Sequence, residues 1–88
     1  MVKPRVLRIP DMEPIAKEVM HNALTGYIPP TEEQKKHLTL GKVLTDTEGV
    51  FELYVPADRP QDATVISRVT IDRMTGGVKV EVFLTPQN

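Results

Sequence analysis

The chain has 88 residues, 40% of them hydrophobic and 26% charged, with a formal net charge of −1 and no cysteine. That is apolar material for one core rather than two, and the absence of thiols excludes both disulfides and thiolate metal sites. A domain of this size buries only about 60 to 65% of the surface its unfolded chain exposes, so a thin core and modest stability are expected unless a partner adds burial.

Charge is threaded through the amino terminus, Met1-Val2-Lys3-Pro4-Arg5-Val6-Leu7-Arg8, with no signal-like apolar stretch behind it. No run approaches the ~20 apolar residues of a membrane span. Small secreted domains usually lean on cystines, so the expectation is a cytoplasmic protein. Residues 1–44 carry seven Lys/Arg against five Asp/Glu, and residues 45–88 carry four against seven. So small an imbalance between halves is ordinary scatter.

In chain order, Asp11 before Met12-Glu13-Pro14 predicts a helix start, because a capping carboxylate satisfies free amides and proline costs nothing in a first turn. Met12, Ile15, Ala16, Val19, Ala23 and Leu24 then recur at spacings of three and four, and Gly26 supplies a stop. The predicted helix runs from about Met12 to Leu24. Tyr27-Ile28-Pro29-Pro30 is an extended connector. Thr31-Glu32-Glu33-Gln34 has the form of a capping box with acidic residues at the positive helix end, so a second helix is predicted to run to about Leu38. Leu40 to Thr45 reads as a strand, although Leu38, Leu40 and Leu44 leave a helical continuation open.

Asp46-Thr47-Glu48-Gly49 predicts a turn in which Asp46 bonds back and Gly49 takes positive φ. Phe51, Leu53 and Val55 alternate with Val50, Glu52 and Tyr54 as a strand that Pro56 ends. Pro56 to Asp62 is a polar loop. Thr64 to Thr85 predicts a hairpin with Asp72 opposite Gly77. That register places Ile71 against Val78, Val69 against Val80, Ser67 against Val82 and Val65 against Leu84 on one face. The other face sets Arg68 against Glu81, Thr70 against Lys79 and Ile66 against Phe83, so every pair is chemically matched. The expected architecture is a single α+β domain over residues 1–88, with two layers: two N-terminal helices packed on an antiparallel meander of three to four strands. Arg5 to Ile9 is a candidate further edge strand.

Few residues suggest chemistry. Glu18 with His21, and Glu33 with His37, could each share a helix face, but carboxylate-bridged metal sites need more ligands than these, and ion pairs account for both. Ser67 lies on a strand without the strained elbow of a nucleophile; a small hydroxyl fitted into the core and bonded locally is the expectation. Glu32/Glu33 and Asp58/Asp62 fall at a helix start and in a loop, where solvation explains them. Gly76-Gly77 joins strands with no phosphate-loop setting. Lys3, Arg5, Arg8, Lys35, Lys36 and Lys42 could form a basic patch, but the few aromatics (Tyr27, Phe51, Tyr54, Phe83) supply no stacking platform. No catalytic residue, metal or cofactor is assigned.

Gly41 to Pro56 follows the pattern G-x-V-x-T-D-x-x-G-x-F-x-L-x-V-P and resembles a segment of carboxypeptidase-regulatory-like modules, which implies an all-β sandwich that the helical opening of this chain does not match. Ile71-Asp72-Arg73-Met74-Thr75-Gly76-Gly77-Val78 is similar to the hairpin of PepSY-type domains. Neither resemblance carries a function over.

The function expected is that of a small non-catalytic protein-interaction or accessory domain, homo-oligomeric, with Ile66, Phe83, Arg68 and Glu81 as the partner surface, because the hairpin register leaves Ile66 and Phe83 on the face away from the core. A nucleic-acid-associated protein using the basic N-terminal half, and a small enzyme with an unrecognised site, are the alternatives.

Overall fold

A computed structural model describes residues 6–86, and Arg5 of the candidate edge strand lies outside them. Two helices, one 3-10 turn and four strands follow one another: α1 (Ile9–Leu24), α2 (Glu32–Lys36), β1 (Thr39–Leu44), β2 (Glu48–Val55), the turn Pro60–Asp62, β3 (Thr64–Asp72) and β4 (Val78–Val82). The strands form one antiparallel meander in the order β1-β2-β3-β4. Helix α1 alone lies across one face of it, and the molecule is 17 Å through its shortest axis, the depth of one helix on one sheet. Among the described residues no helix packs on the other sheet face.

Helix α1 begins three residues earlier than the capping argument places it. Arg8 is the N-cap residue, Pro10 falls in the first turn, and Asp11 turns its carboxylate back to accept from the Arg8 N–H at 3.0 Å. An acidic residue in the third helical position does the capping that was expected one residue before the helix. Val6 to Arg8 therefore precede the helix as irregular chain, tied to the sheet where the Leu7 N–H donates to the Arg73 carbonyl at 3.0 Å. No strand forms there, because Ile9 is already helical.

Met12, Ala16 and Met20 are buried on α1 and pack with Phe51, Val69 and Ile71 of the sheet, flanked by Leu7, Ile9, Val19, Leu40 and Leu53. The inward row is thus a spacing of four, 12-16-20, and Ile15, expected in the apolar stripe, is 39% exposed. Gly49 makes the closest approach possible: a Cβ built on it would lie 2.8 Å from the Met12 sulfur. Its role is to admit the thioether, and it does not adopt the positive φ expected of a turn exit, which among the described residues belongs to Gly76 alone.

The second helix is a single turn of five residues, Glu-Glu-Gln-Lys-Lys, with none buried. Its capping box forms as expected, Thr31 Oγ1 accepting from Gln34 N–H at 3.1 Å and Gln34 Oε1 accepting from Thr31 N–H at 3.0 Å. With no apolar stripe it has nothing to bury against the sheet. Two packed helices are therefore replaced by one, and the residues after His37 enter β1.

The β3–β4 register is the one the sequence pattern dictates, with Ser67 opposite Val82, Arg68 opposite Glu81, Val69 opposite Val80, Thr70 opposite Lys79 and Ile71 opposite Val78. The turn closes through Asp72 N–H to Gly77 O at 2.8 Å and Gly76 N–H to Asp72 O at 2.9 Å. One irregularity interrupts β3: Leu53 pairs with Ser67 but Tyr54 pairs with Val65, leaving Ile66 as an extra residue. Such a bulge re-aims the side chains beyond it.

Candidate interaction surface

The bulge changes which residues the partner surface can contain. Ile66 is 1% exposed and lines a depression on the helix side with Leu24, Leu53 and Leu84. Val65 takes the outer face instead, beside Glu52 and Tyr54. The core row expected to end in Val65 and Leu84 therefore ends in Ile66 and Leu84. Backbone register is nevertheless kept, because the Phe83 N–H still donates to the Ile66 carbonyl at 2.9 Å. Ile66 is thus unavailable to a partner, whereas Phe83 is 50% exposed.

On the outer face Arg68 occupies the centre of a ladder over three strands. Its Nε and Nη2 donate to Glu52 Oε2 at 3.2 and 2.9 Å, its Nη1 stands 3.9 Å from Glu81 Oε1, and its guanidinium carbon lies 5.4 Å from the Phe83 ring centroid. The planar cation is held above the outer face between two carboxylates and lies over the Phe83 ring. Sequence register found Glu81 as its neighbour but not Glu52; the alternation of β2 carried that signal, since Glu52 falls on the same face as Tyr54 and directly opposite Arg68.

The two sheet edges differ. On β4, the Phe83 N–H bonds to Ile66 O and Gly77 O accepts from Asp72 N–H, so in an antiparallel ladder the intervening Val78, Val80 and Val82 direct their own N–H and C=O groups away from β3. Val78 and Val80 are also exposed through their side chains. On β1 the corresponding outward residues are Leu40, Lys42 and Leu44, because Thr45 N–H to Glu48 O at 2.8 Å sets the bonded pairs. Lys42 reaches over the helix face to form an ion pair with Glu13 of α1. A lysine blunts that edge; nothing charged interrupts the valine row of β4.

The candidate chemical residues do not converge. His21 is exposed on α1, and His37 Nε2 lies 3.5 Å from Glu33 Oε1 within the single turn of α2 and its cap. Among the described residues no group of three or more His, Asp or Glu could hold a metal ion. Ser67 is fully buried and its Oγ has no hydrogen-bond partner, so the local bond expected of it is not made. Three lysines of the candidate basic patch are ion-paired, Lys35 with Glu32 at 3.4 Å, Lys36 with Glu33 at 3.8 Å and Lys42 with Glu13, while Arg8 is exposed at the N-cap of α1. Lys3 and Arg5 lie outside the described residues.

Arg73 is a residue that pattern reading missed. Its Nε donates to Leu7 O at 2.8 Å and its Nη1 to Thr45 O at 2.6 Å, while its backbone N–H bonds to Thr47 O at 2.9 Å. It fastens the chain before α1, the β1–β2 turn and the β3–β4 turn together. Two carboxylates are held low in pKa: Asp72 because it accepts from the Thr75 and Met74 backbone N–H groups, and Glu13 because of the Lys42 ammonium. Both interactions are structural, one in a turn and one between helix and edge strand.

No family model, curated protein or solved structure matches this chain. The β-sandwich that the Gly41 to Pro56 resemblance implies is not formed; that run folds as β1 and β2 of an α+β sheet. Among the described residues, no helix is long and apolar enough to cross a membrane.

Proposed function

We propose that this protein is a small non-catalytic interaction module that self-associates. The observation that carries the reading is the β4 edge, where exposed valines and outward-facing backbone groups lie together and the strand's two charges, Lys79 and Glu81, fall on the opposite face. A one-helix, one-sheet domain has little core with which to stabilise itself, and association through such an edge supplies both burial and hydrogen bonds. The scarcity of exposed aromatics and the pairing of Lys35, Lys36 and Lys42 with carboxylates favour a protein partner over nucleic acid.

Sedimentation velocity between about 10 µM and 1 mM tests the reading. A sedimentation coefficient that rises with concentration towards a dimer supports it, and a 9.9 kDa monomer throughout that range overturns it.

A further inference from the structure

The sequence of β4, Val78-Lys79-Val80-Glu81-Val82, is complementary to itself when reversed. From this and the edge geometry we infer that two copies join through β4 in antiparallel register about a two-fold axis at Val80, making one continuous sheet. The inference rests on the self-association proposed above and locates it.

Three independent features select this register. First, the outward N–H and C=O groups belong to residues 78, 80 and 82, so only registers that set even-numbered residues opposite one another form backbone bonds. Centring on Val80 sets Val78 against the second copy's Val82 and Val80 against its own counterpart, and uses every outward group. Second, the outer face then places Lys79 opposite Glu81 of the other copy, twice by symmetry. Centring on Lys79 or Glu81 instead opposes lysine to lysine or glutamate to glutamate, which is destabilising. Third, the valine side chains of both strands meet on the helix face, beside the flank of α1 that carries exposed Ile15. Ile15 lies on that flank because Glu13, two positions earlier and so about 200° around the helix, turns to Lys42 on the far edge.

A two-fold junction of this kind is closed, since each copy uses its own β4 edge once and leaves β1, with Lys42, as the terminal edge. Lys79 is thereby given a partner that the monomer does not supply, since within its own chain it faces uncharged Thr70.

Charge-swapped variants test the register. Lys79→Glu and Glu81→Lys each convert both cross-copy pairs to like charges and should weaken self-association by about tenfold or more. An equimolar mixture of the two variants should associate as heterodimers, and the double variant Lys79→Glu/Glu81→Lys should self-associate as the unmodified protein does. Recovery in the mixture also shows that each variant is folded. If the unmodified protein dimerises and both single variants dimerise equally well, the β4 register is overturned while self-association stands. If the single variants are monomeric and neither the mixture nor the double variant recovers, the register is likewise overturned. A protein monomeric at 1 mM overturns both readings.

Discussion

Ser67 is a hydroxyl with no partner in the one place where that costs most. Its Oγ is fully buried among apolar neighbours on the helix face of β3, and a buried unbonded hydroxyl forfeits its hydration with nothing in return. Ser67→Ala should therefore stabilise the protein by about 1 kcal/mol, read as a higher denaturation midpoint in urea with unchanged slope. A lower midpoint would mean that the hydroxyl is bonded in solution. Gly49 makes the opposite case. Its missing side chain is filled by Met12, so Gly49→Ala should destabilise by about 1 to 3 kcal/mol through overpacking, even though alanine ordinarily favours the folded state at a tolerant glycine. The same substitution in a Met12→Ala background should cost markedly less, because the two positions share one space.

Among the elements, the β3–β4 hairpin depends on Asp72, whose carboxylate accepts from Met74 N–H at 2.8 Å and Thr75 N–H at 2.9 Å. These bonds hold its pKa below the ordinary 3.8, so the carboxylate stabilises the fold fully above that value and the contribution is lost as pH falls through the folded pKa. Thermal melts between pH 7 and pH 2 should show an acid-side loss that Asp72→Asn reduces, since asparagine keeps the acceptor without a titrating proton. An unchanged acid limb in that variant would assign the loss to other carboxylates such as Glu13. The hairpin was legible in the sequence because alternation, charge pairing and turn chemistry all specify one register. The β3 bulge was not, because the pattern up to Ile66 is equally regular with or without an inserted residue, and the choice falls to the strand on the other side of β3. Hence the alternation sets Phe83, Arg68 and Glu81 on the outer face, where the structure has them, and Ile66 there too, where the bulge removes it. Helix α2 was visible through its capping box, yet its length was not, since a cap marks where a helix starts and only packing sustains it.

For the whole molecule, a sheet covered on one face only should draw stability from association. If two copies join, dimerisation adds to stability by mass action, and the melting temperature should climb as protein concentration is raised from about 10 µM to 1 mM. A melting temperature independent of concentration would separate folding from assembly. Neither the edge geometry nor the Arg73 clasp could be read from spacing, because both arise where segments far apart in the chain come to lie side by side.

That clasp also governs time. The Arg73 guanidinium reaches a carbonyl 66 positions away, and closing a loop of that length carries an entropic cost that the neighbouring hairpins avoid. Its bonds are accordingly expected to form late, after the barrier to folding is crossed. Arg73→Ala should leave the refolding arm of a chevron nearly in place and raise the unfolding arm, whereas slowed refolding would put the clasp in the nucleus. On the first outcome Arg73 sets how long the native chain persists rather than how quickly it arises.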